Sequence, residues 1–389
     1  MSARPPSAAL PLPDEQAAAH GARVVRALRD VVREHGGWLP FEAYMRFVLY
    51  APELGYYTAG ATKLGAAGDF TTAPEMTPLY AQALAAQVAA LLRPGADEIV
   101  ELGAGSGRLG ADLLAALPES ALPSRYAILD VSADLRERQQ ALLAERVPLL
   151  RNRIVWVDAL PERIAGVVLM NEVLDAIPCA LVVRRGGAWL ERGVAFDGER
   201  LAFADRPLAP GAVLDLARRR FPPDGDYASE VNPAAEALVE SLGRRLAHGA
   251  LLAIDYGFPR HEYYHPQRAQ GTLMAHYRHR ALADPLAWPG LCDLTAHVDF
   301  TAIAEAGERA GLHVAGFATQ AAFLMGCGVL DRLQAVGAPE SAAYVREAGA
   351  VQRLLSPAEM GELFKVLALA RDEGLRGPGF ALADMRHRL

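Results

Sequence analysis

Glu101-Leu102-Gly103-Ala104-Gly105-Ser106-Gly107 places three glycines and a carboxylate where a short apolar run gives way to a helical pattern. Glycines at a strand-to-helix junction let the backbone come close to a ligand, and the helix start offers free N–H groups. That chemistry suits a nucleoside-containing cofactor, either a nicotinamide dinucleotide or S-adenosylmethionine. The dinucleotide fingerprint is G-x-G-x-x-G. Here Arg108 stands at the place of its third glycine, and the spacing is G-x-G-x-G instead. Adenosylmethionine is therefore the expected ligand. A phosphate-binding P-loop is excluded, because neither Lys63 nor Lys365 follows a suitable glycine run.

Three further signals lie at the ends of successive apolar runs. Asp130 closes the second run, where a carboxylate can take both hydroxyls of a ribose. Asp158 closes the third, where it could accept from an adenine amino group. Either could equally be a helix cap or a solvated acid. Asn171-Glu172 follows the fourth run, Val167-Val168-Leu169-Met170, and opens Asn171-Glu172-Val173-Leu174-Asp175-Ala176-Ile177-Pro178. Ligands of open α/β sheets bind at this strand edge.

The elements that must position these residues alternate. Strands are expected at Glu98–Leu102, Tyr126–Val131, Ile154–Val157, Val167–Met170, Ala250–Ile254 and His313–Phe317. Helices are expected at 77–92, 108–117, 135–145, 234–247 and 300–310. Such alternation gives a parallel sheet with helices on both faces. The run Phe364–Leu369 reads as a last strand, pairing antiparallel beside the fifth and sixth. Residues 181–206 read as an antiparallel meander inserted after the fourth strand, and 321–355 as two helical segments. Before the sheet, Val24, Val25, Leu28, Val31 and Val32 recur at helical spacing. Pro40 can start a second helix. Residues 51–78 are loop-like, and Tyr56, Tyr57 and Phe70 within 55–76 suit a lid that orders on a cofactor.

Composition bounds the rest. Of 389 residues, 52% are hydrophobic, and 39 basic against 46 acidic side chains give a net charge of −7. An acidic chain argues against non-specific nucleic-acid binding. Cys179, Cys292 and Cys327 are far apart, so neither a disulfide framework nor a cysteine zinc site is expected, and no metal is called for. No apolar run approaches a bilayer span. The first twenty residues resemble neither a signal nor a transit peptide, so a cytoplasmic location is expected.

The chain resembles the MidA family, the bacterial and mitochondrial methyltransferase-like proteins that include a complex I assembly factor. The resemblance runs from about 40 to 370. Its segments are Asp69-Phe70-Thr71-Thr72-Ala73-Pro74-Glu75, the glycine-rich segment, Asn171–Pro178, Ile254-Asp255-Tyr256-Gly257, Gly271-Thr272-Leu273 with Tyr277-Arg278, Asp293–Phe300, and Thr319-Gln320 with Phe323-Leu324. Ala104 and Ser106 sit where relatives often have Pro and Arg, and Asp130 replaces a common Glu. The double-Glu hairpin and Thr-His-Trp loop of the main arginine methyltransferases are not recognisable.

The resemblance implies an α/β class I methyltransferase fold, Rossmann-like, with a mostly parallel seven-stranded sheet, a helical N-terminal extension, an inserted antiparallel meander and inserted C-terminal helices. Composition and pattern divide the chain into a disordered, Pro/Ala-rich tail at 1–13, a helical region with a lid loop at 14–78, and a core at 79–389 with insertions at about 181–232 and 321–355. The resemblance implies S-adenosyl-L-methionine as cofactor, held by Glu101, Gly103, Ala104, Gly105, Gly107, Asp130, Asp158, Asn171, Thr72 and Pro74. The mitochondrial member symmetrically dimethylates an arginine of a complex I subunit. The implied partner is thus a protein carrying a target arginine, of complex I type, with a homodimer also possible and neither nucleic acid nor membrane insertion expected.

An arginine nucleophile is a guanidinium that stays charged, so carboxylates must bind it, orient one nitrogen and take its proton. Glu172 and Asp175 are the first candidates, then Glu75 and Asp69 from the loop, then Asp255 and His297. A small-molecule methyltransferase and a non-catalytic cofactor-binding assembly factor are the alternatives.

Overall fold

A computed structural model describes residues 12–59, 72–278, 280–282 and 284–389. The expected disordered tail at 1–13 lies mostly outside these residues, as do Asp69 and positions 60–71 of the lid segment.

Seven strands build the central sheet: β1 (Glu98–Leu102), β2 (Arg125–Leu129), β3 (Ile154–Val157), β4 (Ile164–Asn171), β5 (Leu246–Phe258), β6 (His313–Thr319) and β7 (Phe364–Ala370). Their order is β3-β2-β1-β4-β5-β7-β6. Neighbours from β3 to β5 pair in parallel, and β7 runs antiparallel between β5 and β6. This is the expected architecture, with one addition: Val298–Asp299 pairs in parallel with Gly257 and Phe258 as a short eighth strand.

Alternation along the strands explains the layers. Ile99, Ile128, Val167, Leu169, Leu252 and Val366 point to one face, under the helices Pro78–Leu91, Arg108–Ala116 and the Gln320–Leu355 region. Val100, Ala127, Val168, Met170, Leu251 and Leu367 point to the other, under Pro233–Arg245 and Phe300–Arg309. Both faces are covered, so the strands read as continuous apolar runs. The C-terminal insertion is three helices, Gln320–Gly326, Val329–Gln334 and Ala342–Leu355, where two were expected. Gly328, at φ 77°, stands between the first and the second as the N-cap of Val329–Gln334.

The meander is also larger than its sequence suggests. Ala180–Arg185, Ala188–Asp197 and Arg200–Pro207 form it; Tyr227–Val231 pairs with the first of these strands, and Leu39–Pro40 with the second. The N-terminal helices Glu15–Glu34 and Phe41–Tyr50 pack against it. Leu28, Phe41, Tyr44 and Met45 share one core with Leu181, Val194, Ala275 and Leu294. Ala275 and Leu294 belong to a three-stranded sheet of Met274–Tyr277, Arg280–Leu282 and Asp293–Thr295, which was not foreseen. The helical N-terminal region is thereby buttressed from behind, with the hydroxyl of Tyr50 at its end bonded to the Ala176 carbonyl in the segment after β4.

Candidate active site

Register decides which residues meet. Leu102 pairs with Leu129 and with Met170, and Leu129 pairs with Val157. Gly103, Asp130, Asp158 and Asn171 therefore leave the sheet at one level, at the carboxyl ends of four parallel strands. A cavity of about 320 Å³ opens there, at the lower end of the ~300–1,000 Å³ usual for small-molecule sites.

One wall is the glycine-rich turn. Gly103, Gly105 and Gly107 have φ of 63°, 55° and 85°, which only glycine adopts without strain. Gly103, Ala104, Gly105 and Ser106 line the cavity, with Glu101 beneath them. Gly107 does not; it caps the helix Arg108–Ala116 and packs on Gln139. Glu101 is buried and accepts from the Tyr126 hydroxyl at 2.8 Å. Burial pushes its carboxyl up to about 7.

Asp130 lines the same cavity. Its Oδ1 accepts from the Ser132 amide at 3.0 Å and its Oδ2 from Gln139 Nε2 at 2.8 Å. Ser132, not Asp130, caps the next helix. A carboxylate has about four acceptor sites, so Asp130 retains capacity for a pair of hydroxyls. Gln139 was not foreseen. It is fully buried, donates also to the Gly105 carbonyl at 2.9 Å and accepts from Trp156 at 2.9 Å. It thus ties the turn to Asp130. Asp158 is a correction: its side chain is 88% exposed, paired to Arg136 at 2.8 Å, and does not line the cavity. Arg136, on the first turn of the helix after Asp130, reaches across and draws it outward.

The end of β4 supplies the other corner. Tyr80 donates to Asn171 Oδ1 at 2.6 Å, and Asn171 Nδ2 donates to Glu172 Oε1 at 3.3 Å. Asn171 and Glu172 both line the cavity. Glu172 has φ 53°, an uncommon conformation for a non-glycine residue. Its amide is held by the Ile254 carbonyl at 2.8 Å. Strain of this kind concentrates where a side chain must point into a site. Burial, then the neighbouring Asp175, pushes the Glu172 carboxyl up to about 8, against hydrogen bonds from Asn171 and the Ala73 amide.

Asp175 lies behind Glu172 and is 5% exposed. Tyr256 donates its hydroxyl to Oδ2, while Oδ1 is buried without a hydrogen-bond partner among the described residues. Burial raises this carboxyl to about 6. Asp255 is a brace: its oxygens accept from the amides of Leu174 at 3.0 Å, Asp175 at 3.3 Å and Tyr256 at 2.9 Å. Burial holds its carboxyl well above the usual range. Asp175 is set back from the cavity, so of the first two candidates only Glu172 lines it.

His297 is a second correction. It does not line this cavity. Its ring stacks on Phe258 at 5.4 Å and meets the edge of Tyr256 at 5.1 Å. Burial lowers it to about 4, leaving a neutral imidazole one tyrosine removed from Asp175.

Thr72, Pro74 and Glu75 border the cavity from the loop side. Ser106 donates its hydroxyl to Glu75, placing Glu75 against the glycine-rich turn. Tyr50, Tyr56 and Tyr57 complete the lining. Tyr50 stacks on Tyr57 at 5.5 Å and donates to the Ala176 carbonyl at 2.9 Å, and Tyr57 donates to Asp293 at 2.8 Å. Their aromatic type hinted at burial; their role as a wall could not be seen without the packing of Phe41–Tyr50 against the meander and the strand Asp293–Thr295.

Residues 79–318 match the family described as "Putative S-adenosyl-L-methionine-dependent methyltransferase". A crystal structure of a COG1565 superfamily member from Burkholderia thailandensis, bound to S-adenosyl-homocysteine, is 47% identical and superposes with a TM-score of 0.92, covering 98% of this chain and 100% of that one. The mouse mitochondrial protein arginine methyltransferase NDUFAF7 is 31% identical over 86% of this chain and 81% of its own. The human protein of the same name is 30% identical over 86% and 80%. With the glycine-rich turn, the Asp130 corner and the β4 end gathered at one sheet edge, the chain belongs to this family of S-adenosyl-L-methionine-dependent methyltransferases.

Proposed function

We propose that the protein transfers a methyl group from S-adenosyl-L-methionine to an arginine side chain of a protein substrate. The observation that carries the reading is Glu172: a desolvated carboxyl group in a strained conformation, lining the same cavity as the glycine-rich turn. The cavity fits the cofactor. Asp130 has acceptor capacity for the ribose, and Leu129, Val131 and Leu135 give apolar cover for the adenine. When bound, the cofactor supplies an electrophilic methyl group on a positively charged sulfur.

The chain's own groups do the rest. Glu172 holds the incoming guanidinium and accepts the proton that its nitrogen loses. A base near the working pH suits that transfer. Tyr80 and Asn171 fix the Glu172 carboxylate, and Asp175 behind it adds negative charge that favours a cation in front. Tyr50, Tyr56 and Tyr57 shield the reacting atoms from water. The naming of the mouse and human relatives as protein arginine methyltransferases supports arginine as the acceptor. A complex I-type subunit as the substrate and a cytoplasmic location belong to the same proposal.

Asp130→Ala is expected to weaken S-adenosylhomocysteine binding by ~1.5–3 kcal/mol, the range for hydrogen bonds to a charged group. Titration calorimetry reads this directly; unchanged affinity would remove Asp130 from the ribose. The acceptor is tested by incubating the protein with radiolabelled methyl donor and lysate of a deletion strain. Label recovered as methylarginine from a protein band is the expected result. Label on a small molecule, or none, would contradict the proposal.

A further inference from the structure

Glu75 reads from sequence as a companion of Glu172, but its contacts put it elsewhere. The glycine-rich turn has two sides. On one, the Gly105 carbonyl and Asp130 are joined by Gln139. On the other, the Ser106 hydroxyl donates to Glu75 and accepts from the Arg108 amide at 3.2 Å. Glu75 and Arg108 both line the cavity on that second side. The ribose corner at Asp130 and the methyl corner at Glu172 are thus already taken, and a third corner remains.

That corner carries both charges. One Glu75 oxygen is occupied by Ser106, which leaves the other for a cation. Arg108 uses Nε for Asp112 at 3.0 Å; among the described residues its two terminal nitrogens have no hydrogen-bond partner. Arg108 is also the first residue of its helix, where a cation opposes the helix dipole. No ion pair joins Glu75 to Arg108 among the described residues, although Ser106 contacts both. A carboxylate and a guanidinium on one side of a cavity, unpaired with each other, match a ligand bearing an ammonium and a carboxylate on one carbon.

We propose that Glu75 and Arg108 form a clamp for the zwitterionic α-amino-acid end of the cofactor, Glu75 taking the ammonium and Arg108 the carboxylate. This rests on the methyltransferase reading above. It makes Glu75 a cofactor-binding residue, and it explains why residues 72–76 span from the turn to β4: the Ala73 amide reaches Glu172 while Glu75 reaches Ser106.

The test compares three ligands by calorimetry on the full chain. S-adenosylhomocysteine carries both charges, decarboxylated S-adenosylmethionine keeps only the ammonium of its tail, and 5′-methylthioadenosine has neither. Glu75→Gln is expected to weaken the first two by roughly 10- to 100-fold and to leave the third unchanged. Arg108→Gln should weaken S-adenosylhomocysteine alone, by about 10-fold. Wild-type affinity of Glu75→Gln for S-adenosylhomocysteine, or an equal loss for that ligand and 5′-methylthioadenosine, would overturn the clamp while leaving the cofactor reading intact. A wild-type protein that binds none of the three would overturn both.

Discussion

Glu172→Gln is expected to lower methyl-transfer turnover by ~100-fold or more while S-adenosylhomocysteine binds almost as before. The amide keeps the shape and one acceptor but removes the charge that holds a guanidinium and the base that takes its proton. Losses of that size are typical of a general base or an electrostatic partner. Asn171 can still donate to the remaining carbonyl oxygen, so the end of β4 keeps its conformation. Steady-state turnover together with calorimetry checks this. Turnover falling only in proportion to folded protein would make Glu172 a structural residue.

The same substitution is expected to stabilise the cofactor-free protein at alkaline pH, by about 2–4 kcal/mol near pH 9. Burial raises the Glu172 carboxyl from an ordinary 4.5 to about 8. Between those values the folded protein holds a proton that the unfolded chain has released. The stability this contributes is complete below about pH 4.5 and is lost as pH rises through 8. Glutamine cannot ionise and escapes the loss. Water entering the cavity lessens the desolvation, which is why the expected gain is below the full shift. Urea unfolding of both proteins at pH 4.5 and pH 9 reads the difference. Equal stability at both pH values would mean that Glu172 is not desolvated. A gain in stability alongside a loss in activity is the mark of a residue held at some cost for function.

The sheet was legible because its strands are apolar runs that stop abruptly at polar residues. Glu98–Leu102 ends at Gly103 and Ile164–Asn171 at Glu172, and parallel register brings those ends together. The turn glycines, Asp130 and Glu172 could be read for that reason. Asp158 could not. It sits at the same level as Asp130, yet its direction depends on Arg136, whose reach is set by the phase of the following helix. Gln139 was hidden in the same way, as one polar residue within a helix that is mostly exposed. Tyr227–Val231 and Asp293–Thr295 are short strands whose partners lie 15 or more residues away, so no local pattern announced them. The tyrosine wall follows from those pairings: Leu39 against Val194 fixes the helix that ends at Tyr50. Glu75 was visible as a residue but not as a role, because only the Ser106 contact shows which corner it occupies.

The most direct measurement is single-turnover methylation with the labelled donor saturating, wild type beside Glu172→Gln, and hydrolysis of the product to locate the label. Label on an arginine nitrogen is expected for the wild type, with a rate at least ~100-fold lower for the variant at equal cofactor occupancy. Label on another acceptor, or a variant that turns over at the wild-type rate, would contradict that expectation.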